Sequence, residues 1–400
     1  MNVVVISQNY PPDLGAASFR MRALVKALHE RGHQVYVIAG MPNRYDDFMQ
    51  DKAVPEHELS EGVEIFRVKI KTVGNTKIQR IRGFLEYYFG AVKLGMRLKG
   101  KGIHVVVATT PQLLQARVGE VLARQLNARL LLDVRDLWPE TPIALGELSP
   151  NSPVAHVLSF LERGAYKCAD HIVTTSPGYI DHVEKMTRED TEISVVLNGI
   201  DSEFRKCSQT VRHDRDTVKV IYAGNVGYCQ NLITLVEAAS MLKDEDFQFT
   251  IVGSGTQIEQ VRQRTAELGL NNLLISAPIR RADLLTAYDD ADVVYLQLFF
   301  SDYFRRVIPS KIFEYLALSK PIIYGLDGVS ADILSKFPAT YRVRPDDPGS
   351  LADTLRIVSR ELRNGLTVYR DSASLREYTR EYQTTKFVQA IENLVTSQEA

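Results

Sequence analysis

The sequence predicts an α/β protein made of two doubly wound, parallel-sheet domains. Short apolar runs of the buried-strand kind alternate with segments of helical period along most of the chain. Those strand runs end in turns rich in Gly and Asn, at Gly15, Asn198-Gly199, Gly224-Asn225 and Gly253-Ser254-Gly255. The length, 400 residues, exceeds what one typical core organises.

Asn2–Ser7 is the first strand, and Gln8–Ala17 is a loop with two prolines and Gly15. Ser18 is the expected cap of a helix carried by Leu24 and Leu28. Gly32 ends that helix and Gln34–Ala39 is the second strand. Gly15 therefore sits at the carboxyl end of strand one, the edge where doubly wound sheets take ligands, or it is a plain turn glycine. Val105–Thr109 and Leu130–Val134 are further strands, the second running into Arg135-Asp136-Leu137-Trp138-Pro139-Glu140. Arg135 and Asp136 either point into an interdomain crevice or brace their own loop. Ala169–Thr175 and Ile193–Leu197 complete the first half.

The polar stretch 202–217 reads as a linker, which gives an N-terminal domain 1–201 and a C-terminal domain 202–379, with a helix of about 380–400 expected to return to the first. Val218–Ala223 restarts the strands and ends at Gly224-Asn225. Phe247–Val252 leads to Gly253-Ser254-Gly255, the opening of a dinucleotide fingerprint. Ile258 stands where its third glycine belongs, and Ser276 where an acidic ribose ligand belongs, so a dehydrogenase is discounted. Residues 351–363 and 372–395 have the pattern of amphipathic helices.

Composition excludes several classes. Hydrophobic content of 45% and charged content of 24% describe a globular protein, and a net charge of −1 gives no overall field for nucleic acid. Cys168, Cys207 and Cys229 form no Cys-x-x-Cys pair, which suits a reducing compartment. No stretch approaches the ~20 apolar residues of a membrane span, so a cytoplasmic location is expected. Asp290-Ala291-Asp292 lies at a helix end with no third hard ligand evident, and no metal is expected there.

Residues 67–101 stand apart, with ten Lys and Arg against the single acid Glu86, interleaved with Phe84, Leu85, Tyr87, Tyr88 and Phe89. This reads as a face resting on an anionic bilayer, with a solvated helix whose aromatics enter the core as the plainer alternative. Nucleic acid has no other support in the chain.

Residues 305–326 organise the second half. Pro309-Ser310-Lys311 is the expected start of a helix, with Ile312, Tyr315 and Leu316 at helical spacing and Ser319-Lys320-Pro321 as its stop. A helix mouth with free amides and a lysine suits an anion, and Glu314 one turn on suits the hydroxyls of a ribose. Together they describe a nucleotide site; the plainer alternative is a solvated Lys and Glu.

With these pieces in order, the sequence resembles glycosyltransferase family 4, the retaining nucleotide-sugar enzymes of the GT-B fold. The resemblance rests on the Gly15 loop, Arg135-Asp136, Tyr222-Ala223-Gly224-Asn225, Ile251-Val252-Gly253-Ser254-Gly255, and Pro309-Ser310-Lys311 followed by Glu314. Leu132–Glu140 and Ile308–Glu314 look most like the branch with bacterial fucosaminyltransferases of O-antigen and capsule synthesis. The resemblance implies two Rossmann-like domains facing across a cleft, with the acceptor on the first and the sugar nucleotide, UDP-linked, on the second. By it Glu314 would hold the ribose, Ser310 and Lys311 the diphosphate, and Gly15 the diphosphate or sugar, while Arg135-Asp136 would lie near the transferred sugar. Catalysis is expected without metal or cofactor, and the basic aromatic block of residues 67–101 suggests a lipid-linked sugar as acceptor at the inner face of the cytoplasmic membrane. Two departures stand out. Arg306 occupies the place of the family's first glutamate, and Asn225 with Gln230-Asn231 replaces the common Arg…Lys pair. Arg305, Arg306 or Lys311 would then neutralise the diphosphate. A non-hydrolysing epimerase and a non-catalytic partner module of the same fold are the rival readings.

Overall fold

The computed structural model describes residues 1–13, 15–42, 54–72, 76–204 and 216–396. Most of the expected linker lies outside them. The chain separates into two compact units, Met1–Asn198 with Arg380–Ala400, and Gly199–Thr379. The division falls inside the Asn198–Asp201 turn that the sequence places at the end of the first domain.

Unit one contains β1 (Asn2–Ser7), α1 (Ala16–Glu30), β2 (Gln34–Gly40), β3 (His57–Ser60), β4 (Val63–Val68), α2 (Lys77–Gly95), β5 (Val105–Thr109), α3 (Leu113–Leu126), β6 (Arg129–Val134), α4 (Glu140–Ala144), α5 (Pro153–Cys168), β7 (His171–Thr174), α6 (Ile180–Glu184) and β8 (Glu192–Val195). The sheet order is β3-β4-β2-β1-β5-β6-β7-β8. Every neighbouring pair is parallel except the hairpin β3–β4. Val3 to Ile6 are fully buried, as a strand covered by helices on both faces must be.

Unit two contains β9 (Val218–Asn225), α7 (Ile233–Met241), β10 (Phe247–Ser254), α8 (Ile258–Glu267), β11 (Leu273–Ser276), α9 (Arg281–Asp290), β12 (Val293–Gln297), α10 (Lys311–Leu316), β13 (Ile322–Gly325), α11 (Val329–Leu334), β14 (Thr340–Arg342), α12 (Pro348–Arg363) and α13 (Ser372–Leu375). Its sheet is parallel throughout, in the order β11-β10-β9-β12-β13-β14. The last helix, α14 (Arg380–Thr396), belongs to unit one and buries Phe387 and Ile391 in the same core as Leu24 and Leu28 of α1.

In both sheets the strand order reverses beside the first strand of the unit. The connection from β1 goes to β2 on one side while β5 lies on the other; β9 stands likewise between β10 and β12. Gly15, in the loop leaving β1, and Gly224, at the end of β9, therefore lie at the switch points where open parallel sheets leave a crevice.

Three expectations need correction. Gly15, not Ser18, is the N-cap of α1; Ser18 is inside the helix and buried. The single helix expected over 372–395 is broken, because Ile200 N donates to Tyr378 O at 2.7 Å and Ile200 bridges Thr379, which is extended. The hairpin β3–β4 went unread, and it takes Arg67 out of the basic surface. Arg67 is buried, and its guanidinium donates to Pro11 O at 2.8 Å and to Glu58 at 2.6 Å. Tyr87 is likewise core, with its hydroxyl donating to Ile38 O.

Candidate functional site

In unit two the site forms where α10 meets the end of β9. Ile312, Phe313, Tyr315 and Leu316 are all buried, so Lys311 and Glu314 share the face that remains. Lys311 Nζ donates to Glu314 Oε2 at 2.8 Å. Gly224 faces this pair: a Cβ there would stand 3.3 Å from both Lys311 Cε and the Tyr222 hydroxyl. The helix mouth is smaller than expected. Ser310 caps α10 without a side-chain bond, and the amides of Ile312 and Phe313 already donate to Pro309 O and Ser310 O, each at 3.1 Å. Pro309 therefore precedes the helix and accepts its first turn.

Tyr288, invisible in the sequence motifs, completes the group. Its hydroxyl donates to Glu314 Oε2 at 3.3 Å and lies 3.5 Å from Lys311 Nζ. Burial, with Tyr315 and Glu314 adding to it, pushes the Tyr288 phenol well above its ordinary range, so it stays a neutral donor. Tyr315 receives Ala223 N at 3.4 Å and gives to Tyr295 O at 3.3 Å, which pins α10 to the sheet. Glu314 Oε1 makes no hydrogen bond among the described residues, while Oε2 takes both Tyr288 and Lys311.

The remaining candidates in this unit divide. Asn225 shapes its own loop: its side chain donates to Gln230 at 3.3 Å and its carbonyl accepts from Tyr222 at 2.6 Å. Gln230 also accepts from Gly227 N, and Asn231 donates to Asp346 at 2.7 Å. The uncharged pair that replaces Arg…Lys thus clamps the turn. At Gly253 a Cβ would collide with the Gly224 carbonyl oxygen, so glycine there lets β10 close on β9. Arg306 lies over the Tyr303 ring, 5.4 Å from its centre, rather than against Lys311 and Glu314. Asp290 and Asp292 both bond Lys219, through Nζ at 2.7 Å and the backbone amide at 2.8 Å.

In unit one Arg135 and Asp136 leave the end of β6. Arg135 Nε is turned inward, donating to Thr109 Oγ1 at 2.9 Å and Thr110 O at 2.6 Å. Thr109 Oγ1 in turn donates to Asp133 Oδ2 at 2.9 Å. Asp133 is fully buried and paired with Arg20 of α1 at 2.8 Å, and Arg20 also donates to Leu197 O and lies 5.0 Å from the Phe387 ring centre. A chain of contacts thus runs from α14 through Arg20, Asp133 and Thr109 to Arg135. Asp136 is pushed up to about 6 by desolvation, against the pull of Arg135. Gly15 has φ 133°, a conformation glycine alone adopts without strain, while its missing Cβ would meet nothing within 4 Å.

Glu140, the end of the same motif, anchors the loop. His182 sits between Glu140 at 3.2 Å and Glu162 at 3.0 Å. Burial alone would lower the imidazole, but its hydrogen bonds to the two carboxylates raise it to about 9. With both ring nitrogens held, His182 is a clamp and not a proton shuttle.

Arg20, Asp133 and His182 escaped the sequence reading, although the first two left a signal. Arg20 is in register with Leu24 and Leu28 on the apolar face of α1, and Asp133 interrupts the apolar run of β6. A charge at each of two core positions implies a buried pair. Tyr288 left none, since only the fold brings α9 beside α10.

Residues 15–199 match the family described as "Glycosyl transferase 4-like domain", and residues 217–360 match "Glycosyl transferases group 1". The two matches together cover most of the chain, which is a glycosyltransferase of the GT-B fold. It is 23% identical over 349 residues, 80% of this chain and 81% of the relative, to WcaI of Escherichia coli (strain K12), named for glycosyl transfer in colanic acid biosynthesis. Among solved structures, sucrose-phosphate synthase from Thermosynechococcus elongatus has a TM-score of 0.70 at 16% identity, over 100% of this chain and 97% of that one. HepE of Anabaena in complex with UDP has a TM-score of 0.68 at 13% identity, over 98% and 100%. At such identities these structures speak for the fold.

Proposed function

We propose that this glycosyltransferase moves a sugar from a UDP-linked donor, with retention of configuration, onto a lipid-linked sugar during assembly of a bacterial surface polysaccharide such as O-antigen or capsule. The observation that carries the donor reading is the Lys311–Glu314–Tyr288 group opposite Gly224: one cation, and one carboxylate oxygen left over, at a switch point. Names among the relatives support it, colanic acid for WcaI and UDP for HepE.

Breaking the bond between the sugar and the diphosphate builds negative charge on the leaving group. Lys311 meets that charge, with Arg305 or Arg306 as the second cation, and a preorganised donor of this kind is worth about 10²–10³ in rate. Glu314 accepts from the ribose hydroxyls while Tyr288 and Lys311 hold its other oxygen. The acceptor hydroxyl attacks from the leaving-group side and passes its proton to a diphosphate oxygen, and Arg135 and Asp136 orient the sugar. The scheme needs no side-chain base.

A thermal-shift panel of UDP, GDP, ADP, CMP and dTDP on wild type and Glu314→Ala tests this. A ligand at 100 times its Kd adds about 2.7 kcal/mol. UDP alone is expected to stabilise wild type and to lose most of its effect in the variant. A panel with no response, or an unchanged response in Glu314→Ala, overturns the assignment.

A further inference from the structure

Unit one carries two apolar ridges that no described residue covers. On α2, Ile78, Ile81, Leu85 and Phe89 are 79%, 58%, 42% and 67% exposed, and they recur on one side of the helix while Tyr87 and Ala91 enter the core on the other. On α5, Val154, Val157 and Phe160 are 57%, 59% and 76% exposed, opposite the buried Ala155, Glu162, Ala165 and Tyr166. Among the described residues of unit one, every exposed large hydrophobic except Leu59 and Tyr382 lies on these two helices. Both helices pack against α3, so the ridges belong to one helical layer.

The charges around the ridges have one sign. Arg82, Lys93, Arg97, Lys99 and Lys101 are exposed along and beyond α2, and Arg163 and Lys167 are exposed on α5. Each helix has one acid. Glu86 is folded back onto the amides of Lys71 and Thr72 at 2.7 and 3.0 Å, and Glu162 is buried with His182. No helix among the described residues is long and apolar enough to cross a bilayer.

We propose that α2 and α5 are the two feet of a docking surface for an anionic bilayer, with Phe89 and Phe160 entering the headgroup boundary and the α2 cations on the lipid phosphates. A helix with an apolar ridge flanked by Lys and Arg lies in the plane of such an interface. A second copy of the chain is a poorer occupant, because a twofold contact through this layer sets like charges against each other. The footing deepens the reading of a lipid-linked acceptor, on which it rests, by adding α5, whose ridge of Val154, Val157 and Phe160 widens the contact beyond α2.

Flotation of the full chain with phosphatidylglycerol–phosphatidylcholine vesicles tests it apart from turnover. Wild type is expected to float at low salt, to lose most binding at high salt, and to ignore pure phosphatidylcholine. Val157→Glu with Phe160→Glu, and separately Ile81→Glu with Phe89→Glu, are each expected to cut binding at least tenfold while leaving the melting midpoint and the UDP shift unchanged. Undiminished flotation of the α5 variant, equal binding to neutral vesicles, or a dimer in light scattering that either variant dissociates would overturn the proposal. Loss of flotation with an intact UDP shift bears on the footing alone; a missing UDP shift in a protein that floats bears on the donor site alone.

Discussion

Two ion pairs of equal length sit at corresponding edges of the two sheets. Arg20–Asp133 and Lys311–Glu314 are both 2.8 Å apart, but the first is 4% and 0% exposed and the second 20% and 26%. The buried pair has every neighbour fixed: Thr109 on the carboxylate, Leu197 O and Phe387 on the guanidinium. Its charges cannot leave without an uncompensated partner remaining in the core. The partly exposed pair can take on further partners, a phosphate for Lys311 and a hydroxyl for Glu314, at small cost to folding. Distance alone does not separate a strut from a candidate binding pair; solvent access does.

The sharpest way to break the comparison is to remove one member of each pair. Arg20→Ala leaves Asp133 buried and unpaired and is expected to cost about 3–5 kcal/mol in urea unfolding. An apolar double replacement, Arg20→Met with Asp133→Leu, is expected to cost far less; equal damage would mean that packing and not charge is what Arg20 supplies. Lys311→Ala is expected to reverse the pattern. Turnover falls by about 10²–10³, while unfolding free energy moves by less than about 1 kcal/mol, as read from steady-state rates and a denaturation curve on one preparation.

His182 extends the contrast to pH. Its folded value of about 9 lies above the ordinary 6.5, so its stabilisation is whole below 6.5 and fades as pH rises through 9. His182→Gln is expected to lose roughly 2–3 kcal/mol at pH 6 and to converge on wild type near pH 10. A gap that stays constant with pH would reduce the clamp to packing. The smallest expected effect is at Tyr288→Phe, about 1 kcal/mol from one hydrogen bond to a carboxylate. It should appear as a several-fold weaker UDP response, with a melting curve close to wild type.

Most of the strands and both switch-point glycines were legible because buried parallel strands are continuous apolar runs and their turns need Gly. Lys311 and Glu314 were legible because three residues of separation on a helix puts them on one face. What each side chain touches was less so. Gly253 looked like a phosphate turn but serves the closeness of two strands, and Arg67 looked like surface charge but is strand core. Ser18 has the chemistry of a cap, yet the backbone of Gly15 takes that place. For Gly253 and Arg67 a local pattern was overruled by contacts with residues distant in sequence, as with Tyr288 and His182, which only tertiary structure brings to Glu314 and Glu140.

Unit one is interrupted in sequence, since it leaves off at Asn198 and resumes at Arg380. A ribosome therefore makes the whole of unit two before it makes the helix that finishes unit one. Until α14 emerges, the nascent first domain has no Phe387 over Arg20, no Gln383 for the Leu197 amide, and no Ile391 in the core that α1 shares with the sheet. The first domain to be translated is the last to be completed, so a fragment ending at 198 should need the α14 peptide, supplied in trans, to stay in solution.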